Sequence, residues 1–459
     1  MASINNEIKI PKRILNTLLT SLSAGVVPRI GAPYIAIGRE EEIGTLLDNL
    51  DDVADGGAAC RFLIGKYGSG KSFLIQLIRG RALERGFICA DADLSPERRL
   101  CGGNGAGLAT YKELMINMAS KAAPDGGALP TILSRSYVML QTELAEENIF
   151  PDSEKYETEL RKKVISMLSE LEGDVGGFDF ARILGEYYAA AIRDDADKKS
   201  ACLRWLRGEF SNKTEANSAL GFRVSTIIDD DNWYSFIKLF AALSVKLGYS
   251  GFMVFIDECV NLYKIPNRIS REANYEKLLA IFNDTLQGKA KNLGVIFGGT
   301  PQFLEDTRRG LFSYDALKSR LADSRYSSTL GYQNLSSPVI RLRALSGSEL
   351  LALVKRLSNL YAMRDGCGPL VTDSEIEMFV SVTRSRAGAD ELLTPREIIR
   401  DFLSFLNILR DNPGVKFSEL IKNSTFNIDG APEEKTVEAD TVTPMSQPNR
   451  KVNLFDIDI

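Results

Sequence analysis

The sequence contains no histidine. That excludes histidine-dependent triads, imidazole metal ligation and histidine-based nuclease sites unless a partner supplies them. Its six cysteines (Cys60, Cys89, Cys101, Cys202, Cys259 and Cys367) are scattered and never form C-x-x-C. They read as buried thiols in a reducing compartment, not as a zinc site or disulfide frame. No apolar run is long enough to span a bilayer. The opening "MASINNEIKIPKRIL" lacks the charged, apolar and cleavage regions of a secretory leader, so the cytoplasm is the expected compartment. A net charge of −5, with 25% charged and 44% hydrophobic residues, makes no overall electrostatic case for nucleic acid, although a local basic face on an oligomer stays open. Any chemistry must come from carboxylates, Lys and Arg, hydroxyls and a bound cofactor.

At 459 residues the chain has room for about three domains, or for one large core with a lid. Residues 1–60 read as helix, short loop, helix. "CRFLIGKYGSGKSFLIQLIRGRALERG" is an apolar strand, a glycine loop and a helix. "GFICADADLS", "GFMVFIDE" and "NLGVIFGGTP" are further strands, and "NYEKLLAIFNDTLQGKAKN" is a helix between the last two. This alternation predicts an α/β fold with a parallel sheet. Lys71 and Asp257 are 186 residues apart (257 − 71), long for one compact strand-helix-strand step. Most of the excess is helical. The expected division is a core at 1–344 with a helical insertion at about 102–232, a helical lid at 345–425, and a polar, Pro-rich disordered tail at 426–459.

"GKYGSGKS", residues 65–72, fits G-x-x-x-x-G-K-[ST] and has the flanking strand and helix that the motif requires. Gly65, Gly68, Ser69 and Gly70 form a loop whose backbone N–H groups face phosphate oxygens. Lys71 reaches the β- and γ-phosphates, Ser72 ligates Mg²⁺, and Phe73 follows on the helix. Asp257, ending an apolar strand, is the second Mg²⁺ residue. Glu258 is the candidate base for the attacking water. Thr300, at the tip of the next strand, either bonds the γ-phosphate or water, or simply starts the turn before Pro301. Twenty residues on (320 − 300), Arg320 is a candidate arginine finger, in competition with Arg308, Arg309 and Arg325. Arg396 opens a later helix behind Thr394 and Pro395, an N-cap followed by a proline first turn. It reads as a lid sensor or as a surface arginine.

"DECV" at residues 257–260 is similar to the motor box of DEAD/DEAH helicases. No second RecA-like domain with its arginine box follows, so that likeness is superficial. The motifs in order resemble AAA+ P-loop ATPases, especially the initiator-like branch. "YIAIGREEEI" resembles that branch's adenine-side box, with Gly38, Arg39 and Glu42 in place, and the resemblance assigns Gly38 and Arg39 to the nucleotide. A narrower resemblance runs to about residue 425. "IPKRILNTLLTSLSAGVVPRIGAPYIAIGREEEI", "VFIDECVNLYKI", "IFGGTPQFLEDTRRGLFSYDALKSRL" and "LTPREIIRDFL" together resemble the BREX-type ATP-binding family, which includes BrxD-like proteins and the ATPase of Shango phage-defence systems. That resemblance implies ATP and Mg²⁺ as ligands, homo-oligomers, a helicase partner, a TerB-like partner in Shango, and DNA reached directly or through the helicase. A slow nucleotide-gated switch and a DNA-binding initiator or loader remain alternatives. The insertion reads as partner platform or decoration, and "NLFDIDI" at the end as anchor or free terminus.

Overall fold

A computed structural model describes residues 10–168, 176–323, 334–386 and 394–423. The expected tail at 426–459 and Arg325 lie outside these residues. Five parallel strands form the sheet: β1 (Ala58–Ile64), β2 (Ile88–Asp93), β3 (Phe252–Asp257), β4 (Leu293–Gly299) and β5 (Val339–Arg341). Their order is β2-β3-β4-β1-β5. β3 and β4 are buried along their whole length, which explains why their sequences are continuous apolar runs without alternation. β4 lies between the strands carrying the glycine loop and the acidic pair. The carboxyl ends of all three therefore open on one crevice, where open α/β sheets take ligands. Only the short β5 has no counterpart in the sequence reading.

The helices before β3 are α1 (Lys12–Ser23), α2 (Glu40–Ala54), α3 (Lys71–Glu84), α4 (Ala106–Ile116), α5 (Leu129–Glu146), α6 (Tyr156–Leu168), α7 (Gly177–Ile192), α8 (Ala196–Leu206), α9 (Lys213–Leu220) and α10 (Trp233–Lys246). Helices α4 to α9 make up the long insertion. Tyr111, Leu133, Leu160, Phe180 and Trp205 from this region share one buried cluster with Val254 and Ile256 of β3. The apolar stripes of the insertion thus turn into the chain's own core, although Val138, Phe150 and Phe178 stay exposed. The two ends of the insertion are tied together. The Asp230 carboxylate accepts the backbone N–H groups of Gly102 at 3.0 Å and Leu108 at 2.8 Å, and the Trp233 indole donates to Leu100 O at 2.9 Å. Four of the six cysteines are buried, while Cys101 is half-buried and Cys367 exposed.

After β3 come α11 (Val260–Tyr263), α12 (Arg268–Leu286), α13 (Pro301–Glu305), α14 (Asp315–Leu321), α15 (Gly347–Asp365), α16 (Asp373–Arg386), α17 (Pro395–Asp411) and α18 (Phe417–Asn423). Helices α15 to α18 build a second core around Leu357, Phe379, Phe402 and Phe417. The N-terminal helix joins it: Leu15, Leu18, Leu19 and Leu22 of α1 lie in this cluster and not under the sheet. The first and the last four of the described helices therefore pack as one helical layer beside the crevice. Leu18 is fully buried, so Leu18→Ala should cost about 2–5 kcal/mol. Denaturant unfolding of the full chain measures it, and a change below 1 kcal/mol, about the size of a tolerated core swap, would remove α1 from that core.

Candidate functional site

The glycine loop closes over the end of β1. Gly68 and Gly70 take left-handed backbone conformations, with φ of 74° and 97°, and Gly70 caps α3. At Gly68 an added Cβ would come within 2.6 Å of Thr394 Oγ1, so the loop and the start of α17 meet where no side chain fits. Lys71 is buried at 9% exposure. Its ammonium donates to Gly65 O at 2.9 Å and to Lys66 O at 3.1 Å. Burial lowers the Lys71 pKa, opposed by the negative charges of Asp257 and Glu258.

The Ser72 hydroxyl donates to Asp257 Oδ2 at 2.5 Å. That contact joins α3 to β3 across the tip of β4, and Gly298 makes room for it, because an added Cβ there would overlap Asp257 Oδ1. Asp257 Oδ1 also accepts the Glu258 N–H at 2.8 Å. Glu258 has a positive φ of 56°, a backbone conformation rare for a side-chain-bearing residue and worth 1–3 kcal/mol of strain in order of magnitude, about what functional sites retain. Burial, and then the charge of Asp257, push the Glu258 carboxyl up from its ordinary range. Asp93, register partner of Asp257 on β2, is raised by burial and then by Asp257, Glu258 and Asp91.

These groups face a cavity of about 470 Å³, a size that suits a small-molecule ligand. Its lining combines acidic residues on β2 and at the end of β3, Asp91, Asp93, Asp257 and Glu258, with apolar residues Leu22, Val26, Ile37 and Ile399 from α1, the segment after it and α17. Ser69, Gly70, Lys71, Ser72, Phe73 and Arg396 also line it. Ser69 Oγ is buried without a hydrogen-bond partner and lies against Gly65, where an added Cβ would overlap it. Among the described residues, no group of three His, Cys, Asp or Glu forms a metal cage. A hydroxyl plus one carboxylate is a sparse protein share that fits Mg²⁺, whose other positions go to waters and phosphate oxygens.

Other expected residues stand off the cavity wall. Gly65 lies behind the loop and offers its carbonyl to Lys71. Gly38 is also outside, its N–H donating to Glu40 Oε1 at 3.3 Å. Thr300 is buried between the two phosphate-side strands, but its hydroxyl caps α13 by accepting the Phe303 N–H at 3.3 Å. The turn-forming role is the one this side chain occupies. Arg320 is exposed on α14 and donates to Ala316 O at 2.7 Å. Arg308 is exposed as well, whereas Arg309 is drawn inward to Ile265 O at 3.3 Å and the Tyr263 ring. Arg39 does line the cavity, yet its guanidinium is engaged elsewhere. It bonds Glu42 at 3.2 Å, Ser69 O at 3.2 Å and Arg343 O at 2.7 Å, so it acts as a strut between the loop and the segment entering α15. The sequence reading missed Gly298, Asp93 and Tyr67 as cavity-shaping residues. The paired glycines before Thr300 and the acidic end of "ICADAD" were the available signals.

The model of the family described as BREX system ATP-binding protein BrxC/D matches residues 10–425. The chain belongs to that family. No curated protein matches the chain. The family accounts for ATP as the ligand of a loop built in this way, and BREX is the system to which its members are assigned. Among the described residues, no helix is long and apolar enough to cross a membrane.

Two outcomes follow from the charges. Arg39→Ala leaves Glu42, 2% exposed, as an uncompensated buried carboxylate and should cost about 3–5 kcal/mol. The double variant Arg39→Met/Glu42→Leu should recover much of that loss in urea titrations. Equal loss in both would assign the cost to the loop contact instead. For Glu258, a raised acid holds its proton better in the folded chain than in the unfolded one. Its penalty is therefore absent below the ordinary glutamate range and grows as pH rises through the raised value. In EDTA, Glu258→Gln should raise the melting temperature at pH 8 and show no advantage at pH 4. A variant less stable at pH 8 would contradict the charge assignment.

Proposed function

We propose that the chain is an AAA+-type Mg-ATP hydrolase, with α15 to α18 as its lid. The observation that carries this reading is the 2.5 Å contact between Ser72 and Asp257 in the cavity that also holds Lys71 and Glu258. The Ser72 hydroxyl and the Asp257 carboxylate would hold Mg²⁺, which would supply charge neutralisation at the phosphate oxygens. Lys71 exchanges its two loop carbonyls for oxygens of the substrate. Asp257 keeps the Glu258 backbone in place through its N–H. The Glu258 carboxylate takes a proton from water as the water oxygen bonds to the terminal phosphorus and the bond to the diphosphate breaks. Its raised pKa brings it nearer to working pH, where a general base is most effective. The apolar part of the cavity lining suits the base, which stacks and packs where phosphates cannot.

Among the described residues, Arg396, the expected lid sensor, lines the cavity, whereas the finger candidates Arg308, Arg309 and Arg320 do not. Arg320 points to solvent on its own subunit, which suits a role in a neighbour's site, and with it an oligomer that hydrolyses ATP at its interfaces. The family's assignment to BREX supports a role for this hydrolysis in phage defence; a helicase acting on DNA is the partner proposed for it from the sequence resemblance.

Glu258→Gln should retain ATP binding but lower turnover by about a hundredfold, the usual scale for a lost general base. Lys71→Ala should lose binding itself. Near-normal turnover by the Glu258 variant would reject this base. A mixture of Arg320→Ala and Lys71→Ala subunits, each inactive alone, should regain activity, because some interfaces then pair an intact Lys71 with an intact Arg320. Failure to regain it in demonstrably mixed assemblies would reject the role in trans. A turnover rate strictly proportional to protein concentration would favour an independent switch.

A further inference from the structure

Tyr67 occupies the third position of the glycine loop, at the lip of the cavity. It is 55% exposed and belongs to none of the hydrophobic clusters, so packing does not explain an aromatic residue there. Its ring centroid lies 5.6 Å from Lys71 Nζ, within reach of a weak cation–π contact. The phenol is raised by partial burial and then by the charges of Glu258 and Asp257. Tyr67 lines the same cavity as Lys71, Asp257 and Glu258, and its phenol stays a protonated donor. A hydroxyl so placed, beside the lysine that meets the outer phosphates, lies on the side of the loop where a triphosphate differs from a diphosphate.

We propose that Tyr67 reads the terminal phosphate: its hydroxyl donates to an oxygen that ATP has and ADP lacks, and this side chain sets the preference for nucleoside triphosphate over diphosphate. The ring over Lys71 is its resting position, and a phosphate arriving at the ammonium displaces a contact that is weak. The inference rests on the nucleotide-hydrolase reading above and adds to it the residue that discriminates substrate from product.

The test is calorimetric titration of the full chain, with Mg²⁺, using the β,γ-imido analogue of ATP and, separately, ADP. Wild type, Tyr67→Phe and Tyr67→Ala are compared. Tyr67→Phe keeps the ring and loses only the hydroxyl. It should bind the triphosphate analogue about tenfold more weakly, the scale of one hydrogen bond to a charged group, with ADP affinity unchanged. Tyr67→Ala should show the same selective loss. If Tyr67→Phe binds the analogue as wild type does, or if both nucleotides weaken equally, the inference is overturned while the hydrolase reading stands. If wild type binds neither nucleotide, the hydrolase reading falls and takes the inference with it.

Discussion

The contact between the Ser72 hydroxyl and the Asp257 carboxylate is the constraint on which the site depends. It joins residues 185 apart in sequence, one on the helix that follows β1 and the other at the end of β3, and those two strands are not neighbours. The contact exists because β4 is interposed between β1 and β3, and because Gly298 on that middle strand has no side chain to block Asp257. A parallel sheet with all carboxyl ends on one edge is what makes such a meeting possible. The polar pair sits in the cavity that Lys71 and Glu258 also line, where the proposed hydrolase would hold its cation.

The helical layer beside the crevice is built from the first and the last four of the described helices. α1 shares its core with α15 to α18, and α17 begins against Gly68 with Thr394 as its cap. Movement of these helices therefore changes the apolar part of the cavity lining and the position of Arg396 together. Arg39 ties the same loop to Arg343, and the Arg343 guanidinium in turn pairs with Glu349 on α15. Glu349 is held at a pKa of about 2, first by the Arg343 hydrogen bond. Polar connections thus run from the phosphate loop into the helical layer on a path separate from the hydrophobic one.

Much of this is legible in the sequence. The parallel strands announced themselves as short apolar runs, and the loop at residues 65–72 carried its own flanks. The family resemblance held over the matched residues 10–425. What sequence did not convey was geometry across distant segments. Arg39 was read as a nucleotide contact from its motif, yet its donors go to two backbone carbonyls and Glu42, a fact set by the approach of residue 343. Thr300 was placed correctly at a strand tip, but nothing local distinguishes a hydroxyl that caps the next helix from one that faces a phosphate. The three-residue β5 is too short for any periodicity to emerge. The docking of α1 on the C-terminal helices is invisible to a reading that proceeds along the chain, since its leucine stripe fits any apolar surface.

The most direct test of the central claim is calorimetric titration of wild type and Ser72→Ala with ATP, each in Mg²⁺ and in EDTA. The account predicts that wild type binds ATP more tightly when Mg²⁺ is present and that Ser72→Ala loses this dependence while remaining folded. Equal Mg²⁺ dependence in the two proteins, or a folded wild type that binds no ATP, would contradict it.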